Sequence, residues 1–347
     1  MNTIIGLLFI AMGSAAQSSA YVPIKKIKDW AWECFWMVQG IFAWLLFPYL
    51  GALLALPAGV SLGEILATTD VDGYMVAWKV IGLGVLWGVG GLTFGLSMRY
   101  LGVAMGQSLS LGTCSAFGTL IPALLKGDNL FRGEGLILLI GVCIAIAGIS
   151  IIGYAGSLRD KNMTEEEKRK AVKDFALKKG VLIALLAGVM SACFNFGLEA
   201  GAPILEKAKE LGIRDLMALN PVILLVAIGG LCTNAVFCIY SNIKNQTGKQ
   251  YFSGSYNVLI NNLLYCSLAG ILWYMQVFGL GMGKSFLQDN PVMLAFSWSI
   301  LMSLNILFSN VWGILLKEWK GVGLKTVTVL VIGLLILILS LIFPQLR

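Results

Sequence analysis

Residues 80–125 read VIGLGVLWGVGGLTFGLSMRYLGVAMGQSLSLGTCSAFGTLIPALL, and the only charge in this run of 46 is Arg99. As one helix the run would be ~69 Å long, at ~1.5 Å per residue, against a hydrocarbon core of ~30 Å. It must turn back on itself. Arg99-Tyr100-Leu101-Gly102 is the natural place, because Arg99 can carry its charge to the headgroups and Gly102 permits a tight reversal. Two helices joined by so short a turn are a membrane hairpin, and that decides the class of the whole chain.

The rest of the sequence repeats the pattern. Of 347 residues 58% are hydrophobic, 41 more are glycine and only 12% are charged, with a mean hydropathy of +0.84. Soluble domains carry about 25% charge. Apolar runs predict ten spans, at about 3–23, 32–57, 76–98, 101–125, 134–155, 179–200, 218–241, 256–281, 290–316 and 325–343. The expected fold is an all-α integral membrane protein. Ten spans leave no room for a large extramembrane domain, which excludes an attached ATPase, a receptor ectodomain or a nucleic-acid-binding module despite the net charge of +7.

Basic residues assign the sides. Connections after spans 1, 3, 5, 7 and 9 hold 17 of the 25 Lys and Arg, and the opposite side holds 8. The positive-inside rule then puts both termini outside the cytoplasm. The longest cytoplasmic connection, 156–178, contains Glu165-Glu166-Glu167-Lys168-Arg169-Lys170 and reads as a solvated linker. It divides the chain into a first five-helix repeat, 1–155, and a second, 179–347. An odd number of spans per half makes this a five-plus-five inverted repeat, an architecture common among secondary transporters.

Little in the sequence suggests bond-making chemistry. Histidine is absent, and the seven cysteines lie in or beside apolar stretches with no Cys-x-x-Cys pair. They read as small buried hydrophobes. No metal site or cofactor is expected. An enzyme is not expected either, Asp70-Val71-Asp72 being the nearest approach to an acidic metal-binding run. GLGMGKS at 279–285 is one residue short of a phosphate-binding loop and follows a membrane helix, not a strand. The pairs Gly84/Gly88, Gly91/Gly95, Gly102/Gly106 and Gly197/Gly201 fit small-x-x-x-small helix packing.

Polar residues inside spans need a partner or a wet cavity. Gln17, Gln107, Asn195, Asn234, Asn261, Asn262, Gln276 and Asn305 form such a set. Amides both donate and accept, as a polyhydroxyl solute requires. Trp273 and Gln276 are three residues apart on one helix, joining an aromatic plate to an amide. Trp36 and Trp87 could supply further plates. The candidate sugar-binding residues are therefore Trp273, Gln276, Asn262, Trp87, Gln107 and Trp36. Without histidine, a coupled proton needs a carboxylate, and Glu33 and Glu199 are the candidates.

Several strings, taken together, resemble one family: Tyr21-Val22-Pro23-Ile24-Lys25-Lys26 before Trp30-Ala31-Trp32-Glu33, Gly95-Leu96-Ser97-Met98-Arg99-Tyr100-Leu101-Gly102, Leu272-Trp273-Tyr274-Met275-Gln276 and Leu316-Lys317-Glu318-Trp319. They resemble the bacterial L-rhamnose–proton symporter family, of the drug/metabolite transporter superfamily. The resemblance implies a ten-helix inner-membrane symporter that takes up L-rhamnose, in some members L-lyxose, with a proton. Its partners would be the sugar, the proton and the lipid bilayer, with no nucleic acid and no obligate protein partner. The alternative is an exporter or exchanger of another metabolite on the same scaffold. Glu33 lies in a string shared with the family, whereas Glu199-Ala200-Gly201-Ala202-Pro203 departs from it, as does the loop from Ser61 to Gly73.

Overall fold

The computed structural model describes residues 2–67, 74–101, 103–161, 177–316, 319 and 322–345. Asp70, Asp72, Glu318 and most of the 156–178 linker lie outside them. Among the described residues ten helices are long and apolar enough to cross a membrane, and no strand occurs. They are α1 (Asn2–Ile24), α2 (Trp32–Ala55), α3 (Met75–Met98), α4 (Gly106–Leu125), α5 (Gly133–Arg159), α6 (Lys178–Glu210), α7 (Asn220–Asn245), α8 (Tyr256–Phe286), α9 (Pro291–Leu315) and α10 (Leu324–Ile342). The expected hairpin is present. Helix runs to Leu101 and again from Val103, and the Ser97 and Ser110 hydroxyls, 13 residues apart, lie 3.3 Å from each other; the expected turn residue Gly102 lies outside the described residues.

The sixth span is longer than its apolar run predicts. A turn at Gly201 is followed by an amphipathic extension, Ala202–Glu210, with Pro203 in its first turn, where the missing N–H costs nothing. The second span is irregular at its centre. Phe42–Leu46 is a π-helical turn, with the Phe47 N–H bonded to Phe42 O. Pro48, four residues after Trp44, has no N–H to give the Trp44 carbonyl, which accounts for the slipped register.

The chain divides into two compact units, and each draws on both sequence halves. Unit 1 is Met1–Gly88 with Phe196–Phe286, and unit 2 is Val89–Asn195 with Leu287–Arg347. In unit 1, α1 and α8 approach backbone to backbone. A Cβ on Gly13 would come 2.7 Å from Met275 O, on Gly279 2.6 Å from Phe9 O, and on Gly283 2.7 Å from Gly6 O. The glycines of GLGMGKS are therefore a packing surface. Gly84 and Gly229 do the same between α3 and α7. By contrast Gly91 and Gly95 meet nothing within 4 Å, so that expected pair has no packing role among the described residues.

Unit 2 is built on α5 against α10, with a core of Ala145, Ile149, Ile152, Ala155, Ile306, Leu330 and Leu337. A polar seam joins α4 to α9 and α6. Ser115 and Ser299 hydroxyls lie 2.9 Å apart, the Trp298 indole donates to Cys114 O at 3.3 Å, and Asn195 Nδ2 donates to Gly118 O at 2.7 Å. Asn195 thus serves interhelical bonding. All seven cysteines are free thiols; five are buried, but Cys143 and Cys232 are exposed, contrary to the reading of the set as buried.

Candidate functional site

At the centre of unit 1 four indoles meet. Trp44, carried by the π-turn, lies edge-on to Trp87 at 5.9 Å and to Trp273 at 6.0 Å, while Trp87 and Trp273 are 5.5 Å apart and tilted by 36°. Trp36 approaches Trp44 at 5.6 Å. Room for the rings comes from missing side chains, since a Cβ on Gly40 would overlap Trp44 and one on Gly230 would overlap Trp87. The Trp36 indole donates to Asn234 Oδ1 at 3.0 Å, and Asn234 Nδ2 donates to Gly230 O at 2.8 Å. Trp44 differs. The residue is 3% exposed, and among the described residues its indole nitrogen has no acceptor. A buried donor without a partner is costly in a protein and more so in hydrocarbon.

The six expected sugar-contacting residues do not all come together. Trp36, Trp87 and Trp273 share this cluster. Gln276 is buried one turn beyond Trp273, where α8 meets Gly13 of α1. Asn262 lies about 16 Å from Trp273 along α8, at ~1.5 Å per residue. It accepts from Lys28 N at 3.0 Å and donates to Lys28 O at 2.7 Å. Both ends of its amide clasp the α1–α2 connection. Gln107 belongs to unit 2, where it lines a separate cavity.

Glu33 is buried in the first turn of α2. Trp32 and Trp36, four residues apart, stack at 5.1 Å, and Glu33 hydrogen-bonds to the turn after α7. Its Oε1 accepts from Asn245 Nδ2 at 3.0 Å and from Thr247 Oγ1 at 2.7 Å. The Thr247 hydroxyl also lies 2.9 Å from Asn242 Oδ1, and Asn242 Nδ2 donates to the Tyr251 hydroxyl at 2.8 Å. Burial pushes the Tyr251 phenol up to about 12, so it remains a neutral hydroxyl. Cys34 Sγ donates to Asn242 Oδ1 at 3.3 Å. The knot ties the start of α2 to the turn after α7.

Glu199 has a different setting. It accepts from Lys284 Nζ of α8 at 2.8 Å in a partly buried ion pair.

Sequence reasoning missed Trp44 and the Asn242, Asn245, Thr247, Tyr251 knot. Trp44-x-x-x-Pro48 inside an apolar run was a readable sign of a broken register. Ser241-Asn242-Ile243-Lys244-Asn245-Gln246-Thr247 gave no sign, because its partner is more than 200 residues away. Among the described residues no cluster of three His, Cys, Asp or Glu could hold a metal ion.

Residues 1–344 match the family model described as L-rhamnose-proton symport protein. Proteins named L-rhamnose-proton symporter from Yersinia pestis (strain Pestoides F) and Yersinia pseudotuberculosis (serotype O:1b, strain IP 31758) are each 33% identical to this chain over 348 residues. The match covers 97% of this chain and 96% of each relative.

Proposed function

The chain belongs to the L-rhamnose–proton symporter family, and from that premise we infer that it is a secondary transporter carrying L-rhamnose and a proton together, not an enzyme. The ten membrane-length apolar helices among its described residues make it a multi-pass membrane protein. We place it in the bacterial inner membrane with both termini periplasmic, a reading supported by the 17-to-8 distribution of basic residues. A proton entering with the sugar adds ~2.3 kcal/mol of driving force per 100 mV. Two five-helix halves of opposite orientation, 1–155 and 179–347, would supply alternating access. The family match gives no support to an exporter or exchanger of another metabolite.

The sugar-binding surface we propose is the indole cluster of unit 1, and the observation that carries it is the unpartnered Trp44 N–H. A sugar hydroxyl is an acceptor for that donor, and the faces of Trp87 and Trp273 suit the C–H face of a pyranose. At 5.5–6.0 Å the rings close on one another, so an entering sugar must part at least one pair. Trp36 and Gln276 flank the cluster; Asn262 is left to its clasp. Trp44→Phe removes the donor and keeps an aromatic ring. The expected result is an approximately tenfold loss of L-rhamnose affinity, one neutral hydrogen bond, with the fold intact. Unchanged affinity in a folded Trp44→Phe protein removes Trp44 from the site.

For the proton we propose Glu33, because its surroundings can be satisfied in two protonation states. With Glu33 ionised, Thr247 gives its one hydroxyl proton to the carboxylate. With Glu33 protonated, the acid can donate to Thr247 Oγ1, which then donates to Asn242 Oδ1. The Thr247 hydroxyl keeps a partner in either state, and so does Asn242 Oδ1, which also accepts from Cys34 Sγ.

A further inference from the structure

Unit 2 contains a cavity of about 150 Å³ whose polar wall is Gln107 and Ser108 of α4, Arg159 at the end of α5, Ser309 and Asn310 of α9, and Trp319 just beyond α9. Gln107 and Ser108 make no hydrogen bond to any described residue. Asn310 donates Nδ2 to Ile306 O of its own helix at 2.9 Å, which leaves its amide oxygen able to accept. Polar groups that line a cavity and have no protein partner are satisfied by what fills it. The space is about ten times what one water needs, enough for a six-carbon sugar.

The lining suits a neutral polyol with an apolar edge. Amides and hydroxyls from two helices offer both donors and acceptors. Arg159 lies 5.0 Å over the Trp319 ring, which fixes a guanidinium and an indole together at one end of the cavity. At the other side Ile149 and Ile306 belong to the unit's core, a rigid apolar wall of the kind the methyl group of a 6-deoxy sugar would pack on. The lining comes from the start of α4 and the ends of α5 and α9, all on the side where the basic connections lie.

We propose that this cavity is a second binding station for the transported deoxy sugar, separate from the indole cluster and on the side of release. The proposal rests on the L-rhamnose reading given above. It predicts that the purified full chain binds two L-rhamnose molecules, that Gln107→Leu and Asn310→Leu each leave one, and that Trp44→Phe leaves this one. Ser108→Cys, in a chain carrying Cys143→Ser and Cys232→Ser, should react with a small hydrophilic thiol reagent applied from the side of the basic loops. Saturating L-rhamnose should slow that reaction at least fivefold. One sugar per chain with Gln107→Leu unchanged overturns the proposal, as does a Ser108→Cys reaction that is absent or indifferent to L-rhamnose. Protection by inorganic phosphate instead would make it an anion site. If the unaltered chain neither binds nor takes up L-rhamnose, the substrate reading falls and this station with it; uptake with only one bound sugar, retained in Gln107→Leu, removes the station alone.

Discussion

Glu33 and Glu199 are carboxylates of the same compact unit, and they are held in opposite ways. Glu199 faces a lysine at 2.8 Å, so its negative charge neutralises a positive one, and protonating it would abolish that charge pair. Glu33 faces an amide and a hydroxyl, neutral groups that can be donor or acceptor in turn. Among the described residues Glu33 makes no ion pair. The lesson is that burial alone does not fit an acid to carry a proton. What matters is whether the neighbours remain satisfied after the proton arrives.

The sharpest way to break this comparison is Glu33→Gln. The glutamine keeps shape and hydrogen bonding but cannot exchange a proton, so sugar should still equilibrate across the membrane while accumulation against a gradient is lost. Accumulation at the wild-type level in proteoliposomes with an imposed pH gradient would end the assignment and move attention to Glu199. For Glu199→Gln the opposite is expected, with coupling retained and stability lowered by about 1–3 kcal/mol because the partly buried Lys284 ammonium loses its carboxylate. Thermal unfolding in detergent checks this, and Glu199→Leu combined with Lys284→Met should recover most of the loss.

Asn262 tests the same distinction for amides. Its bonds to both polar groups of Lys28 make it a structural residue, so Asn262→Leu should lower stability by about 1–3 kcal/mol while folded protein keeps its L-rhamnose affinity. Weakened sugar binding at unchanged stability would restore it to the site.

The smallest effect belongs to an acid outside the membrane. Glu64 caps the short helix Leu62–Leu66 by accepting from Ser61 N at 2.7 Å and Ser61 Oγ at 2.8 Å. The backbone bond, then the side-chain bond, holds its carboxyl below the ordinary 4.5. A lowered value in the folded state means that the cap is fully effective above pH 4.5 and is lost as pH falls through the folded value. Amide exchange over Leu62–Leu66 should therefore accelerate on acidification below 4.5, and Glu64→Gln should remove that dependence.

The ten spans, the hairpin between the third and fourth and the membrane class were legible in the sequence because a bilayer imposes a one-dimensional rule: about twenty apolar residues per crossing, with charges confined to the ends. Trp36, Trp87 and Trp273 could be nominated because aromatic and amide side chains inside spans are few. Their meeting could not, nor could the centring of the cluster on Trp44, since that depends on a π-turn and on glycines from helices far apart in sequence. Asn262, Gln107 and Glu33 looked alike as polar residues in apolar surroundings. Tertiary structure alone assigned the first to a backbone clasp, the second to a cavity of unit 2 and the third to a knot with Asn245 and Thr247. The physical reason is that hydropathy is a property of each residue by itself, whereas satisfying a buried donor or acceptor is a property of a pair, and these pairs form across more than 200 positions of chain.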